Sequence, residues 1–217
     1  MIALFVTLAI IGHKKEKERQ ERLRACAERL GFYYHPEKDR SFDDRYGEFD
    51  FLQRGSNRYA HNILTGEWQG REATVFDYHY ETHSTDSKGR RQTHHHRFST
   101  AIMVCEFRLR EMTIRPEGIF DKMKAAFGWD DIDFESAEFS RRFHVSAQDR
   151  RWAYDVISPR TMEFLLANPN RELYFDGHLL AVRSDRNLEP EEVDGLLTVA
   201  STVLDGVPQF AREGQRR

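Results

Sequence analysis

The sequence predicts an α+β fold: a mostly antiparallel sheet, helices in the C-terminal half, and a long N-terminal helix ahead of both. Three observations lead there. Residues 71–83 alternate strictly between two sets of side chains, as a strand does. After residue 136 the apolar residues change to helical spacing, with Ser and Pro at helix-starting positions. The opening apolar residues run straight into a charged stretch that reads as helix.

The N-terminal helix divides into two parts. Residues 1–12 carry Ile2, Leu4, Phe5, Val6, Leu8, Ile10 and Ile11, with Thr7 the single polar side chain before His13. A full span needs about 20 apolar residues, so this run is short for one. Three readings stay open: a span of which only part is present, a helix that inserts partway, or a helix packed on the domain. A signal peptide fits poorly, because no basic segment precedes the run and no small-x-small cleavage site follows it. Lys14, Lys15, Lys17, Arg19, Arg22 and Arg24 then face Glu16, Glu18 and Glu21. A basic flank of this kind favours the cytoplasmic side and meets anionic headgroups. The expectation is a membrane anchor at 1–12, a charged stalk helix at 13–31, a globular domain at 32–210 facing the cytoplasm, and a polar tail at 211–217. The plainer account of the charges is a solvated helix face.

Leu23, Cys26, Ala27 and Leu30 form one apolar stripe that should pack on the domain. Gly31 suits a left-handed helix end, with Phe32 folding back on it. Strands are predicted at 32–35, 46–54 and 58–64, with charged loop at 36–45 and a break at Thr65-Gly66. After a turn at 67–70 comes the clearest strand, 71–83, which forms a long hairpin with 97–109 across the polar loop 84–91. Pro116 opens a helix to about Phe127, ended by Gly128. Ile132 and Phe134 alternate with acids as an extended edge. Ser136, Ser146 and Ser158 are expected to cap three short helices. Asp176-Gly177 reads as a tight hairpin turn between 173–175 and 178–183. Pro190 starts the last helix and Gly206 ends it.

Composition narrows the function. A net charge of −3 and a pI near 6.4 argue against general nucleic-acid binding. Cys26 and Cys105 sit in no motif and suggest neither a disulfide framework nor a thiol nucleophile. The nucleotide-binding glycine loops, the Gly-x-Ser-x-Gly elbow and the His-Glu-x-x-His zinc motif are all absent from the sequence.

The chain carries Phe139-x3-Phe143-x-Val145, Ala153-Tyr154-x-Val156-Ile157-Ser158-Pro159, Met162-Glu163-x-Leu165-Leu166 and Phe175-x-Gly177-x-Leu179, with the earlier Asn62-x-Leu64-x-Gly66-x3-Gly70 and Phe76-x-Tyr78. These spacings resemble a group of uncharacterised bacterial proteins that carry an N-terminal membrane helix, a charged stalk and a domain of unknown function. The resemblance implies an anchor and a fold. It assigns no catalytic residue and no cofactor.

One cluster has chemical potential. His79, His83, His94, His95 and His96 flank a single loop. If Phe76 lies opposite Phe98, then His79, Glu81, His83 and His95 share a face, and imidazoles with a carboxylate suit zinc or another transition metal. The competing account is a solvated polar tip, and no strong zinc-ligand spacing is present. His61, His144 and His178 stand singly and read as structural. The acidic run Asp130, Asp131, Asp133 and Glu135 lacks an EF-hand frame. Arg141-Arg142 and Arg150-Arg151 read as solvated helix faces. No catalytic, cofactor-binding or metal residue is assigned from sequence. The expected role is a non-enzymatic binding or scaffold domain tethered to the inner membrane, with the bilayer and an unspecified protein or small molecule as partners. The alternative is a metal-dependent enzyme at the hairpin between His79 and His96.

Overall fold

A computed structural model describes residues 2–117 and 132–213, with side chains placed over 11–117 and 132–212. Six strands form one antiparallel sheet: β1 (Tyr33–His35), β2 (Ser56–Trp68), β3 (Arg71–Thr85), β4 (Arg91–Pro116), β5 (Phe143–Ala147) and β6 (Glu172–Arg183). The order is β1-β2-β3-β4-β5, and β6 pairs along β4. The helices are α1 (Ile2–Leu30), α2 (Phe42–Arg45), α3 (Ala137–Arg142), α4 (Arg150–Val156), α5 (Pro159–Ala167), α6 (Val193–Asp205) and α7 (Gln209–Glu213). This is the α+β class that the patterning predicts.

The pleat of β3 sorts its side chains onto two cores. Ala73 and Val75 face the larger one, with Ala101 and Met103 of β4, the α1 stripe and the inner side of α6. Phe76, Tyr78 and Tyr80 face the smaller one, closed by Phe42, Phe49, Phe51 and Leu52. The sheet is thus covered on both faces. The Tyr78 hydroxyl donates to the Leu52 carbonyl at 2.7 Å, which satisfies the one polar atom that its buried ring brings in.

The α1 stripe behaves as its spacing demands. Leu23, Cys26 and Ala27 are buried and Leu30 packs beside them. Gly31 turns left-handed (φ 71). Its N–H donates to Glu28 O at 3.2 Å while that of Phe32 donates to Ala27 O at 2.8 Å, the paired bonds of a Schellman end. Residues 11–18 are all exposed; the first contact with the body is Glu16, whose Oε1 accepts from Asn62 Nδ2 at 3.2 Å, and burial begins at Arg19. No helix among the described residues is long and apolar enough to cross a membrane, so the expectation of a transmembrane helix is not met.

Other expectations need correction. Residues 46–54 are not a strand: Phe49, Phe51 and Leu52 do not alternate but all bury together, across a 3-10 turn at Asp50–Leu52. The loop at 36–45 contains α2. Thr65-Gly66 does not break β2. Gly66 is there for space, because a Cβ on it would stand 2.5 Å from Phe32 Cδ1. The turn after it is Gln69-Gly70, both at positive φ (51 and 80), as a type I′ turn needs.

Ser146 lies inside β5, and the cap of α4 is Asp149, whose side chain accepts from Trp152 N. Asp176-Gly177 is no hairpin turn: β6 runs through it, and Gly177 (φ 55) sits where the β4 register shifts. β4 is long enough to pair with both halves of β6. Pro116 ends β4 instead of opening a helix; the rest of that expected helix, with Asp130 and Asp131, lies outside the described residues. α7 occupies the start of the expected polar tail. Ser136 and Ser158 do cap α3 and α5, and Ile132 and Phe134 are buried beside the exposed Asp133 and Glu135.

Candidate functional site

The inward row of β3 turns polar after Val75 and continues as Asp77, His79 and Glu81. Asp77 is buried, and its carboxylate accepts from Arg19 at 2.6 and 3.2 Å, from Asn62 Nδ2 at 3.0 Å and from Ser99 Oγ at 2.5 Å. Arg19 also donates to the Leu188 carbonyl from Nη2 at 2.5 Å and from Nε at 3.2 Å. Arg22 pairs with Glu191 and Glu189, and Arg29 with Asp194. Half of the expected stalk is therefore a docked helix, and these three cations face acids of the domain. Lys14, Lys15 and Lys17 remain on the exposed part.

The hairpin register differs from the expected one by two residues. Tyr78 faces Phe98, His79 faces Arg97, and Glu81 faces His95. A shift of two keeps every side chain on its face. His79, Glu81 and His95 therefore still meet: His79 Nε2 is 3.1 Å from His95 Nδ1, and Glu81 Oε1 is 3.5 Å from the same His95 nitrogen. His79 is buried, Glu81 half-buried and His95 exposed.

Two residues that the sequence reading missed fix this geometry. Asn57 adopts a left-handed backbone (φ 49) at a register shift in β2. Its carbonyl lies 3.2 Å from His79 Nδ1, so that nitrogen carries the proton and Nε2 presents a lone pair. Its amide donates to Glu81 Oε1 at 2.6 Å. Tyr59 stacks on the His79 ring at 4.7 Å. Burial lowers the His79 pKa, and the Asn57 bond lowers that of Glu81, so at neutral pH the imidazole is neutral and the carboxylate ionised. Asn at a left-handed position is a known local preference, but nothing in the sequence marks Asn57 over its neighbours.

The other histidines go elsewhere. His83 bonds Ser56 and Thr93 hydroxyls, His94 bonds Ser84, and His96 bonds Thr82 and stacks on Tyr80. His178 bonds the Cys105 carbonyl, His144 is buried in β5, and His61 is half-buried with its pKa lowered by burial. Arg142 pairs with Glu138 of its own helix, and Arg141, Arg150 and Arg151 are exposed. Both cysteines are buried, and burial pushes the Cys105 thiol up to about 11, which suits packing and not nucleophilic attack.

No family model and no curated protein matches the chain. Among solved structures, it is similar to the crystal structure of the mycobacterial trehalose monomycolate transport factor A, TtfA. The TM-score is 0.60 at 12% identity, and the match covers 88% of this chain and 96% of that one. At that identity the two share a fold.

Proposed function

We propose that this chain is a binding or scaffold module held against a membrane by its N-terminal helix, with the sheet domain on the cytoplasmic side of the inner membrane. One observation carries the reading: every residue of α1 from 11 to 18 is exposed, Ile11 at 47%, and the bond from Asn62 to Glu16 is the first hold of the domain on the helix. The apolar residues that precede it lie on the same continuous helix. A segment of that length suits the interface, or partial insertion, better than a full crossing.

The docked part sets the spacing. The six exposed helical residues 13–18, at about 1.5 Å each, set Arg19 roughly 9 Å beyond the apolar segment 1–12. Lys14, Lys15 and Lys17 lie within that interval, and each contributes about 1 kcal/mol near an anionic surface. The shared fold with a protein named as a trehalose monomycolate transport factor supports a binding role. So does the resemblance to bacterial proteins built as helix, stalk and domain. Beside β1, a groove lined by Lys38, Arg40 and Arg45 together with Glu37 and Asp39 offers a surface of mixed charge for a ligand or partner.

Membrane fractionation tests the tether. The full chain should pellet with membranes through washes with high salt and with carbonate, and a chain that starts at His13 should stay in the supernatant. A full chain that stays in the supernatant like the shortened one refutes the proposal.

A further inference from the structure

We propose that His79, Glu81 and His95 form a binding site for a zinc-class divalent cation, with three protein ligands and one position left open. One ligand atom from each residue lies within 4.8 Å of the other two. Two nitrogens bound at about 2.0–2.1 Å to a tetrahedral zinc stand about 3.3 Å apart. The His79 and His95 nitrogens are already 3.1 Å apart, and the carboxylate oxygen is 3.5 Å from the second of them. A cation can enter with small side-chain rotations.

The surroundings meet the further demands of such a site. A histidine ligand commonly donates its second N–H to a carbonyl, which sets the tautomer and aims the lone pair. The Asn57 carbonyl does this for His79, and the Asn57 amide orients Glu81. A left-handed backbone is uncommon at a non-glycine residue, and here that one conformation positions two of the three ligands. The close approach of β2 begins at Gly55 (φ 65), where a Cβ would stand 2.2 Å from the Glu81 carbonyl oxygen.

Without metal, His95 Nδ1–H can donate to His79 Nε2. On metal binding that proton moves to His95 Nε2, and Nδ1 becomes the ligand; the exposed ring meets no barrier to the exchange. Two imidazoles and a carboxylate suit zinc better than calcium or magnesium, which prefer all-oxygen sites. The open position would take water or a donor atom from a bound partner. His94 and His96 lie on the opposite face of the hairpin with hydroxyl partners of their own, so the site is not the consecutive histidine tract.

The test is calorimetric titration of the untagged full chain with zinc chloride after stripping with chelator. One ion should bind per chain. His79→Ala, Glu81→Gln and His95→Ala should each weaken binding by about tenfold or more, and Asn57→Gly by about tenfold through the lost orientation of Glu81. His94→Ala and His96→Ala should leave the affinity unchanged. Far-UV circular dichroism accompanies each variant; if buried His79 proves necessary for folding, the half-buried Glu81→Gln decides the matter. Absence of one-to-one binding overturns the proposal. So does binding that survives Glu81→Gln and disappears with His94→Ala, which would be an adventitious ion on the exposed tract.

Discussion

Replacing Arg19 with methionine should detach α1 from the sheet. Arg19 is 13% exposed and Asp77 is 3% exposed, so the pair sits out of water. Removing one partner from a buried pair costs about 3–5 kcal/mol, because the other charge stays buried and uncompensated. Asn62 and Ser99 continue to donate to Asp77, which places the loss near the lower end. The Leu188 carbonyl also loses both its donors. A loss of about 3 kcal/mol lowers the melting temperature of a chain this size by roughly 6–12 °C. Urea denaturation followed by circular dichroism measures it. Adding Asp77→Asn to Arg19→Met removes the stranded charge and should recover part of the loss, giving a coupling of about 1–2 kcal/mol in the cycle. A single-variant loss below about 1 kcal/mol, the value of an exposed bridge, would refute the claim that this contact latches the helix.

Two further outcomes follow from local geometry. Gly66→Ala should destabilise by about 1–3 kcal/mol in the same assay, since its Cβ would meet the Phe32 ring at 2.5 Å; Phe32→Leu in the same chain should recover part of it. In chelator, the stability of the chain should fall as pH drops from 7 to 5. Burial lowers the pKa of both His61 and His79, so below about 6.5 the unfolded chain takes up protons that the folded chain refuses. The contribution is full above that pH and is lost as pH falls toward the lowered folded values. A His61→Gln, His79→Gln chain should show a flatter slope, and an unchanged slope would mean that other groups set it.

Period and capping made much of this fold legible. The alternation through Ala73, Val75 and Asp77 against Phe76 and Tyr78 placed β3 correctly on two faces. Ser136, Ser158 and Gly31 marked helix ends because each supplies a bond or a backbone angle that the end requires. Errors arose where one residue type serves two purposes. Gly66 and Gly177 read as chain breaks, yet the first makes room for a ring and the second absorbs a register shift inside a continuous strand. The 46–54 segment misled because Phe49, Phe51 and Leu52 are apolar enough for a strand while their burial comes from plugging the small core.

The candidate site was half visible. His79, Glu81 and His95 could be grouped by parity, and the two-residue error in register did not separate them. Asn57 could not be found that way, because its part depends on a left-handed backbone at an irregularity that no side-chain pattern announces. The ion pair of Arg19 with Asp77 was hidden in a run of cations, each of which looked equally suited to water or headgroups. An acid directly after Ala73 and Val75 on the inward row was the one signal that some cation had to reach it.

The partners of Arg22 and Arg29 lie between Glu189 and Asp194, at the far end of the chain from α1. During translation those acids follow Arg22 by 169 residues in the case of Glu191, about 10–30 s at ordinary ribosomal speeds. For that interval the helix and its earlier partner Asp77 have emerged, and the acids that hold Arg22 and Arg29 have not. Under the proposed tether, the leading apolar residues would meet the bilayer before Glu189, Glu191 and Asp194 can complete the dock, so that delivery would precede assembly.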